Sequence, residues 1–388
     1  MAISNTLTSI LPKILARGLL HLRSRVLMTR LVNLDYSMEA KKKGSTIDVP
    51  VAATITSGAV TPAAYPAAPG NLTTATVQIS LSNWQKASFG LTDKELGQIN
   101  AQDDFITLEM SAAFEALATD INDSVFAEYV GVYGYTGTAQ TTPFGAGVEV
   151  TSATLARKIL NQQKCPRDNR RGVLDFDAEA NALALAQFSD AEKVGASDVK
   201  ISGEIGRKFG VDWNADDGVP THTRAALGNG ALTVNGAHAT VGVKTISIAK
   251  AVGASWEAVE GDIISFAGDN QTYVITADTT VVHNNNTSVP IEPGLKIALE
   301  GAEAVTTRDT HVANLVFHRD AFALAMRAPD DALKEVFTPE NSYTMQDPVS
   351  GLVMRLEVIR MYKQTMWELD VLWGAKLIRA DFATRIAG

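Results

Sequence analysis

Cysteine is almost absent, because Cys165 stands alone among 388 residues. A single thiol excludes an internal disulfide and any multi-cysteine metal site. Charged residues are also scarce, at 20% against the roughly 25% of an average soluble domain, while apolar residues reach 46%. No apolar run approaches the roughly 18 residues of a membrane span. We therefore expect a globular protein of two or three domains, made in the cytosol and neither exported nor inserted.

Signatures of catalysis are missing too. The sequence has no GxxxxGK[ST] phosphate loop, no HExxH zinc helix and no GxSxG nucleophile elbow. Its histidines are scattered and predict structural or surface roles. Basic neighbours could lower the pKa of Cys165, but no base is marked out beside it, and a loop cysteine is the simpler interpretation. We expect no cofactor, no metal and no enzyme activity.

Net charge is −9, which argues against a protein that coats nucleic acid. The value hides an asymmetry: residues 1–43 hold eight Lys or Arg and two acidic residues, a net of +6. Subtracting this segment leaves −15 on residues 44–388. The apolar residues of the basic segment have helical spacing. It is either a helix packed on its own domain or an arm that reaches an acidic partner.

Residues 44–89 predict a long two-stranded excursion. Apolar residues alternate with polar or turn residues over Ile47–Val51 and over Val77–Leu81. About two dozen residues rich in Ala, Thr, Pro and Gly lie between them, far more than a tight hairpin needs. Asp48 is the only formally charged residue between Gly44 and Gln85. Such a loop is either disordered or docked against a neighbour.

A long amphipathic helix is predicted from Asp103 to about Val130, with apolar residues every three or four positions. Its other face is acidic throughout and this stretch contains no Lys or Arg, so the charges repel one another. The positive charges of the basic arm are the obvious partners for these negative charges. The acidic residues are Asp103, Asp104, Glu109, Glu115, Asp120, Asp123 and Glu128.

The rest of the chain predicts mixed α/β structure interrupted by a β module. Residues 131–227 contain an Ala/Leu-rich helix, Phe176 to Phe188, and a turn and strand at Gly203 to Trp213. Residues 228–310 predict short strands from Thr245, Asp262, Thr272 and Leu295, with a hairpin loop at Gly268 to Asn270. The mixed α/β character returns over Asn314 to Pro329, with a helix predicted over Phe317 to Met326, and an alternating strand over Trp367 to Trp373 follows.

In this order, the segments resemble the major capsid (coat) proteins of tailed double-stranded DNA bacteriophages, which have the α+β Hong Kong 97-type fold. The β module resembles the β-barrel inserted in coat proteins of short-tailed phages, where it supports subunit folding. The resemblance implies the following division: N-terminal arm 1–43; E-loop 44–89; peripheral domain with a long spine helix, 90–135 and 350–388; axial domain 136–227 and 311–349; inserted β-barrel domain 228–310.

The resemblance also implies a function. Such a chain self-assembles, as pentamers and hexamers, into the icosahedral shell around the packaged DNA genome, and would be assembled in the host cytoplasm. Expected partners are the chain itself, a scaffolding protein and a portal, with only weak non-specific proximity to DNA and no membrane. Family members that crosslink use an E-loop lysine. Residues 44–85 contain no lysine, so we expect non-covalent reinforcement.

Three groups of residues are the candidate contacts to other subunits or to a scaffold. They are Arg17, Arg23, Arg25, Lys41, Lys42 and Lys43 of the arm; Asp103, Asp104, Glu109 and Glu115 of the helix; and Pro62, Tyr65 and Pro66 of the loop. A β-rich surface adhesin or carbohydrate-binding protein is the alternative that the β module leaves open, and an enzyme of unrecognised type comes third.

Overall fold

The fold is given by a computed structural model. The structure describes residues 27–36, 46–51, 75–94, 105–190, 203–238, 240–283, 285–327, 329, 342–346 and 352–388. They fall into two compact units, one within Leu34–Leu117 and Ala323–Ile378, the other within His21–Asn33, Ala118–Phe322 and Arg379–Gly388. None of the helices in these ranges combines the length and the apolar character that crossing a membrane requires.

The helices and strands are bounded as follows. The helices are α1 Met28–Leu31, α2 Phe105–Ala127, α3 Thr151–Gln162, α4 Phe176–Ala184 and α5 Ala186–Ser189. The strands are β1 Thr46–Val51, β2 Ala75–Ser80, β3 Asn83–Thr92, β4 Gly134–Gly137, β5 Arg170–Leu174, β6 Gly206–Lys208, β7 Val211–Ala215, β8 Thr221–His222, β9 Leu232–Val234, β10 Thr245–Lys250, β11 Trp256–Ala258, β12 Ile263–Phe266, β13 Tyr273–Ile275, β14 Thr279–Val281, β15 Thr287–Glu292, β16 Ala304–Thr307, β17 His311–His318, β18 Phe322–Arg327, β19 Ser342–Gln346, β20 Val353–Met361, β21 Gln364–Leu377 and β22 Ala383–Ala387.

The first unit contains a ribbon and a sheet. β1 and β2 form an antiparallel ribbon, from Thr46 opposite Ser80 to Val51 opposite Ala75, which confirms the two strands predicted there. The loop between them, 52–74, lies outside the described residues. The sheet has the order β18-β21-β20-β19, with β3 also paired to β21. The ribbon packs on it through a small apolar core that includes Ile47, Val49, Ile79, Leu81, Ala323 and Ala325.

Strand β21 shows the predicted period of two. Trp367, Leu369, Val371 and Trp373 are all buried, because successive side chains of a strand point to opposite faces and these four share one face. The intervening Asp370 is buried as well. The alternation therefore located the strand but did not show that part of its other face is covered.

Helix α2 matches the long helix expected from the sequence. It runs from Phe105 to Ala127, about 34 Å at 1.5 Å per residue, and continues as a 3-10 turn, Glu128–Gly131. The apolar positions predicted for its inner face are buried at Leu117, Ile121 and Val125.

The second unit is built on a seven-stranded sheet of order β4-β22-β17-β5-β7-β6, with β8 paired to β17. Helices α3 and α4 contribute to its core, where Phe144 lies edge-on to both Phe188 and Trp213. The turn and strand predicted at Gly203 to Trp213 are present as β6 and β7. β22, near the C-terminus, pairs with β17 and β4, so Arg379–Gly388 belongs to this unit.

Between β8 and β17 the chain forms a closed six-stranded barrel, β10-β15-β13-β12-β16-β9, and a separate strand pair, β11-β14. The barrel is filled by apolar side chains such as Ile246, Ile264 and Val289. A β module was predicted over this stretch. The hairpin predicted at Gly268 to Asn270 joins β12 to β13, which are antiparallel.

Three predictions of secondary structure were wrong or incomplete. The segment from Phe317 to Met326 is not a helix but the end of β17, a short 3-10 turn and β18. Because Phe322–Met326 is buried on both faces, its continuous apolar run does not distinguish strand from helix. The segment from Leu295 makes only an isolated bridge, Leu299 to His238. Its place in the barrel is taken by β15, which contains Pro290. The helix over Phe176 to Phe188 breaks at Leu185.

Candidate interaction surfaces and a buried histidine joint

Most of the contact residues predicted from the sequence lie outside the described residues. These are Arg17, Arg23, Arg25, Lys41, Lys42, Lys43, Pro62, Tyr65, Pro66, Asp103 and Asp104. Glu109 lies in α2, but its side chain is not described, and Glu115 is half-buried on the same helix. The pairing of arm and helix therefore stays a prediction.

The described part of the acidic helix face extends onto a second element. Asp120 and Asp123 are exposed on α2, and Asp217, which follows β7, is exposed beside them. Partial burial raises the pKa of Asp123, and the negative charges of Asp120 and Asp217 raise it further. Asp217 follows α2 only after many intervening residues of the chain. The sequence therefore could not predict that Asp217 lies close to α2 in the folded chain.

A hydrogen-bonded asparagine fixes α2 at this place. The Asn122 side chain donates through Nδ2 to Oδ1 of Asp216 at 3.0 Å, and its Oδ1 accepts the Met28 backbone N–H at 3.1 Å. Asn122 and Asp216 are buried, where an unpaired polar group would cost about 1–3 kcal/mol. The acidic surface is thus held on rigid elements.

The ribbon of the first unit is seated closely on β21. A Cβ at Gly374 would lie 2.1 Å from the Ser80 carbonyl oxygen, a distance at which any side chain would collide. Glycine lets the end of β2 approach the strand. The base of the predicted E-loop is therefore positioned by backbone packing as well as by its apolar core.

Large apolar side chains are exposed along the five-stranded sheet. Trp84 on β3 is 64% exposed, and Tyr362, at the turn between β20 and β21, is 86% exposed. Ile359 and Met361 of β20 are partly exposed on the same sheet. Trp84 lies opposite Leu372 and Ile359 opposite Met366, so these side chains occupy separate places along β21.

Five segments of the second unit supply a buried polar cluster, which we call the histidine joint. Its members are Tyr129 of the 3-10 turn after α2, His222 of β8, Asp262 just before β12, His311 of β17 and Arg385 of β22. His222 Nε2 lies 2.9 Å from Asp262 Oδ1, with both side chains almost fully buried. Asp262 precedes a barrel strand, so this contact fastens the barrel to the sheet.

Both ring nitrogens of His222 are hydrogen-bonded. A carboxylate only accepts, so His222 donates through Nε2–H to Asp262, and Nδ1 lies 3.0 Å from the Tyr129 hydroxyl. Asp262 also accepts the Val259 N–H at 3.0 Å. Every polar atom of the His222 ring is therefore engaged within the protein.

Arg385 and His311 complete the joint. Arg385 is fully buried; it donates to the carbonyls of Gly261 and Val130 at 3.0 Å each, and its guanidinium lies 4.9 Å from the Tyr129 ring centroid. Burial lowers the pKa of Arg385 to about 10. Burial also lowers the pKa of His311 to about 4, which keeps that ring neutral at physiological pH.

The joint is structural rather than catalytic. A His–Asp pair activates a nucleophile only when the second ring nitrogen faces it in an accessible cleft; here that nitrogen is bound to Tyr129 and the pair is inaccessible. The sequence predicted structural or surface roles for the histidines, which His222 and His311 fulfil. It could not show that they meet, because each sits in a different segment.

Burial decides the chemistry of Cys165. Cys165 is buried, and burial raises its pKa to about 11. The nearby Arg170 acts in the opposite direction, as the basic neighbours suggested, but burial outweighs it. The simpler interpretation as a loop cysteine therefore stands. Within the described ranges no group of three or more His, Cys, Asp or Glu side chains is arranged to hold a metal ion.

Comparison with known proteins gives a fold but no relative in sequence. No known family model and no curated protein matches the chain. A structure of Mycobacterium phage Che8 matches with a TM-score of 0.51 and 13% identity, covering 93% of this chain and 91% of that one. A capsid structure of the cyanophage P-SCSP1u matches at 0.48, with 10% identity over 89% and 84% of the two chains. The predicted resemblance to phage capsid proteins is confirmed at the level of the fold.

Proposed function

We propose that this chain is the major capsid protein of a tailed phage, a structural subunit that self-assembles into the icosahedral shell around a double-stranded DNA genome. The observation that carries the proposal is the fold shared with the Che8 structure over nine-tenths of both chains. The role is architectural and needs no cofactor. The buried His–Asp pair, with no accessible nucleophile beside it, is consistent with a protein that performs no chemistry.

The elements map onto the parts of a Hong Kong 97-type subunit. In this proposal the ribbon β1–β2 is the base of the E-loop, α2 is the spine helix and the five-stranded sheet belongs to the peripheral domain. The axial domain is the seven-stranded sheet with α3 and α4. We include β22 in it, although the sequence assigned all of 350–388 to the peripheral domain, because β22 pairs with β17 in this sheet. The closed barrel is the inserted domain, fastened through the histidine joint and acting as a support for subunit folding.

Electron microscopy of the purified chain, alone and co-expressed with a scaffolding protein, tests the proposal. Capsomers or closed shells are expected. A protein that stays monomeric under all conditions would overturn it. Deleting residues 228–310 separates this function from the adhesin alternative, because an adhesin would lose ligand binding while a capsid subunit would lose folding yield and shell formation.

The basic arm is proposed to contact the acidic helix of a neighbouring subunit or an acidic scaffold segment. Replacing Arg23, Arg25 and Lys41 to Lys43 by Gln should weaken assembly at low salt. The effect should shrink at high salt, where screening has already removed the attraction. Unchanged assembly at low salt would contradict the contact. A portal and weakly held DNA are further proposed partners, with assembly in the host cytoplasm.

The loop at 52–74 is proposed to dock on a neighbouring subunit and to reinforce the shell without covalent bonds. We expect protease cleavage near Pro62 to Pro69 in the free subunit and protection in the shell. Equal cleavage in both states would show that the loop is not docked. Denaturing electrophoresis of boiled shells should give one band of 41.4 kDa, whereas a ladder of multiples would reveal crosslinks.

A further inference from the structure

The seven-stranded sheet carries a basic surface at one of its ends. β5 and β7 are parallel, so Arg170 and Val211 begin at the same end of the sheet. Helix α3 ends here, and Arg157 on it donates to the Phe209 carbonyl of the β6–β7 turn at 3.0 Å. We define the basic end by five exposed side chains, Arg157, Lys158, Lys164, Arg167 and Arg207.

Acidic side chains are fewer than basic ones at this end. The chain has no acidic residue between Val150 and Arg167. Asp212 lies opposite both Arg171 and Arg207 on neighbouring strands, and Asp168 and Asp320 lie near His318, which pairs with Arg170. A surface of this kind on a chain of net charge −9 calls for an acidic partner.

The opposite end of the same strands is acidic. Five residues of β5 at about 3.3 Å each separate the two ends by about 15 Å, and Asp216 at the far end donates its N–H to the Leu174 carbonyl at 3.0 Å. The acidic end consists of four exposed side chains, Asp120, Asp123, Asp177 and Asp217. No Lys or Arg occurs between Lys94 and Arg157, nor between Arg171 and Lys193.

We infer that copies of this chain associate head to tail, with the basic end of one subunit against the acidic end of the next. This inference rests on the proposed function and names the surfaces that would join subunits within a capsomer. Two basic ends or two acidic ends repel each other, so the charges select one relative orientation. A contact between different surfaces of identical chains repeats from copy to copy and closes a ring when the rotation allows it.

Individual exposed charge pairs contribute little to stability, but a closed ring repeats the contact at every subunit and engages each chain on two sides at once. The contact therefore selects orientation and adds affinity through repetition. Another occupant for the basic end is packaged DNA, whose phosphates also attract Lys and Arg. The acidic end is unsuited to DNA, so DNA would explain only half of the arrangement.

Charge reversal in two complementary variants tests the inference. Variant A carries Lys158→Glu, Lys164→Glu and Arg167→Glu, which leaves Arg157 and Arg207 as the positive side chains of the basic end and makes its net charge negative. Variant B carries Asp120→Lys, Asp123→Lys and Asp217→Lys, which leaves Asp177 as the negative side chain of the acidic end and makes its net charge positive. Each variant alone should lose rings and shells in size-exclusion chromatography and electron microscopy. An equimolar mixture should regain six-membered rings in which A and B alternate, because every contact then joins opposite charges.

A control carries Lys244→Glu and Lys296→Glu, two exposed barrel lysines, and lowers the net charge as variant A does, but outside both ends. It should assemble like the unmodified chain. Circular dichroism and thermal unfolding of the free subunits show whether A and B are folded. A misfolded variant could not be rescued by mixing. A fifth chain with all six reversals has the signs of its two ends exchanged and should assemble alone.

The outcomes are separable. Normal assembly of A and of B, or folded variants that neither mixing nor the sixfold reversal restores, overturns the head-to-tail contact and leaves the capsid proposal intact. Normal shells from A with reduced DNA content assign the basic end to DNA and also overturn it. An unmodified chain that never forms rings or shells refutes the proposed function, and this inference with it.

Discussion

His222 and Asp262 meet at 2.9 Å in the interior of the second unit, one from strand β8 beside the seven-stranded sheet and the other from the edge of the barrel. Their contact joins the barrel to the seven-stranded sheet. The chain passes between these two only through the segments around residues 223–231 and 308–310. A domain held by so few covalent connections depends on side chains for its placement. The histidine joint supplies that placement with hydrogen bonds that water cannot reach.

Replacing Asp262 by Ala should loosen the barrel. The change leaves the His222 Nε2–H and the Val259 N–H without an acceptor, at a cost of about 1–3 kcal/mol for each buried group. Urea unfolding of the purified subunit should show this loss. A double-mutant cycle with His222→Ala isolates the pair, and a coupling energy near zero would show that the two side chains do not support each other.

His311 should make stability depend on pH. Its folded pKa of about 4 lies below the ordinary 6.5 because of burial and the nearby Arg385 and His222. In the unfolded chain His311 therefore binds a proton below about pH 6.5, whereas in the folded chain it binds one only below about pH 4. Stability should fall between these limits, by up to about 3 kcal/mol at roughly 1.4 kcal/mol per pKa unit.

Urea unfolding at pH 7 and pH 4.5 measures the effect of His311. In a His311→Gln variant, most of this pH dependence of stability should disappear. The remaining pH dependence should come from the carboxylates. The control His283→Gln removes an exposed histidine of the barrel and should leave the slope unchanged. If all three proteins lose the same unfolding free energy between pH 7 and pH 4.5, His311 is not the cause.

Alternation and helical spacing made β1, β2, α2 and β21 predictable, because in each the buried residues recur with the period of the element. Strand β18 was not predictable in this way, since both of its faces are covered. Strand β15 was missed because proline argues against a strand interior. In each failure, tertiary packing decided what the local pattern left ambiguous.

The candidate surfaces were predictable to a smaller extent. Net charge along the chain identified the acidic helix, but not that Asp217 lies beside it or that basic residues of α3 and β6 share one end of a sheet. The histidine joint was invisible for the same reason. Its members come from five segments, and only the strand order of the sheet brings Arg385 near Tyr129.

Gly374 should tolerate no side chain. Gly374→Ala would place a methyl group 2.1 Å from the Ser80 carbonyl and force the ribbon away from β21, at the cost of about 1–3 kcal/mol that is typical of overpacking. Gly90→Ala is the control, because the Thr365 oxygen, the nearest atom to a Cβ there, is 3.8 Å away. Thermal unfolding should separate the two variants, and equal melting temperatures would refute the close approach.

Two carboxylates on β21 should differ sharply in their contribution to stability. Asp370 is buried and accepts two hydrogen bonds from Arg355, at 3.0 and 2.7 Å, and one from the Trp84 indole at 3.1 Å. Glu368, two residues away, pairs with Lys86, whose side chain is 61% exposed. Breaking a buried ion pair by removing one partner costs about 3–5 kcal/mol, whereas an exposed pair contributes about 0–1 kcal/mol.

Asp370→Asn should therefore destabilise the free subunit severely, while Glu368→Gln should be nearly neutral in urea unfolding. An Asp370→Leu, Arg355→Met double variant distinguishes the attraction of the pair from the cost of stranding one charge. If stranding dominates, the double variant recovers much of the loss that Asp370→Asn causes. If the double variant is as unstable as the single one, the pair itself holds β20 to β21 at this position.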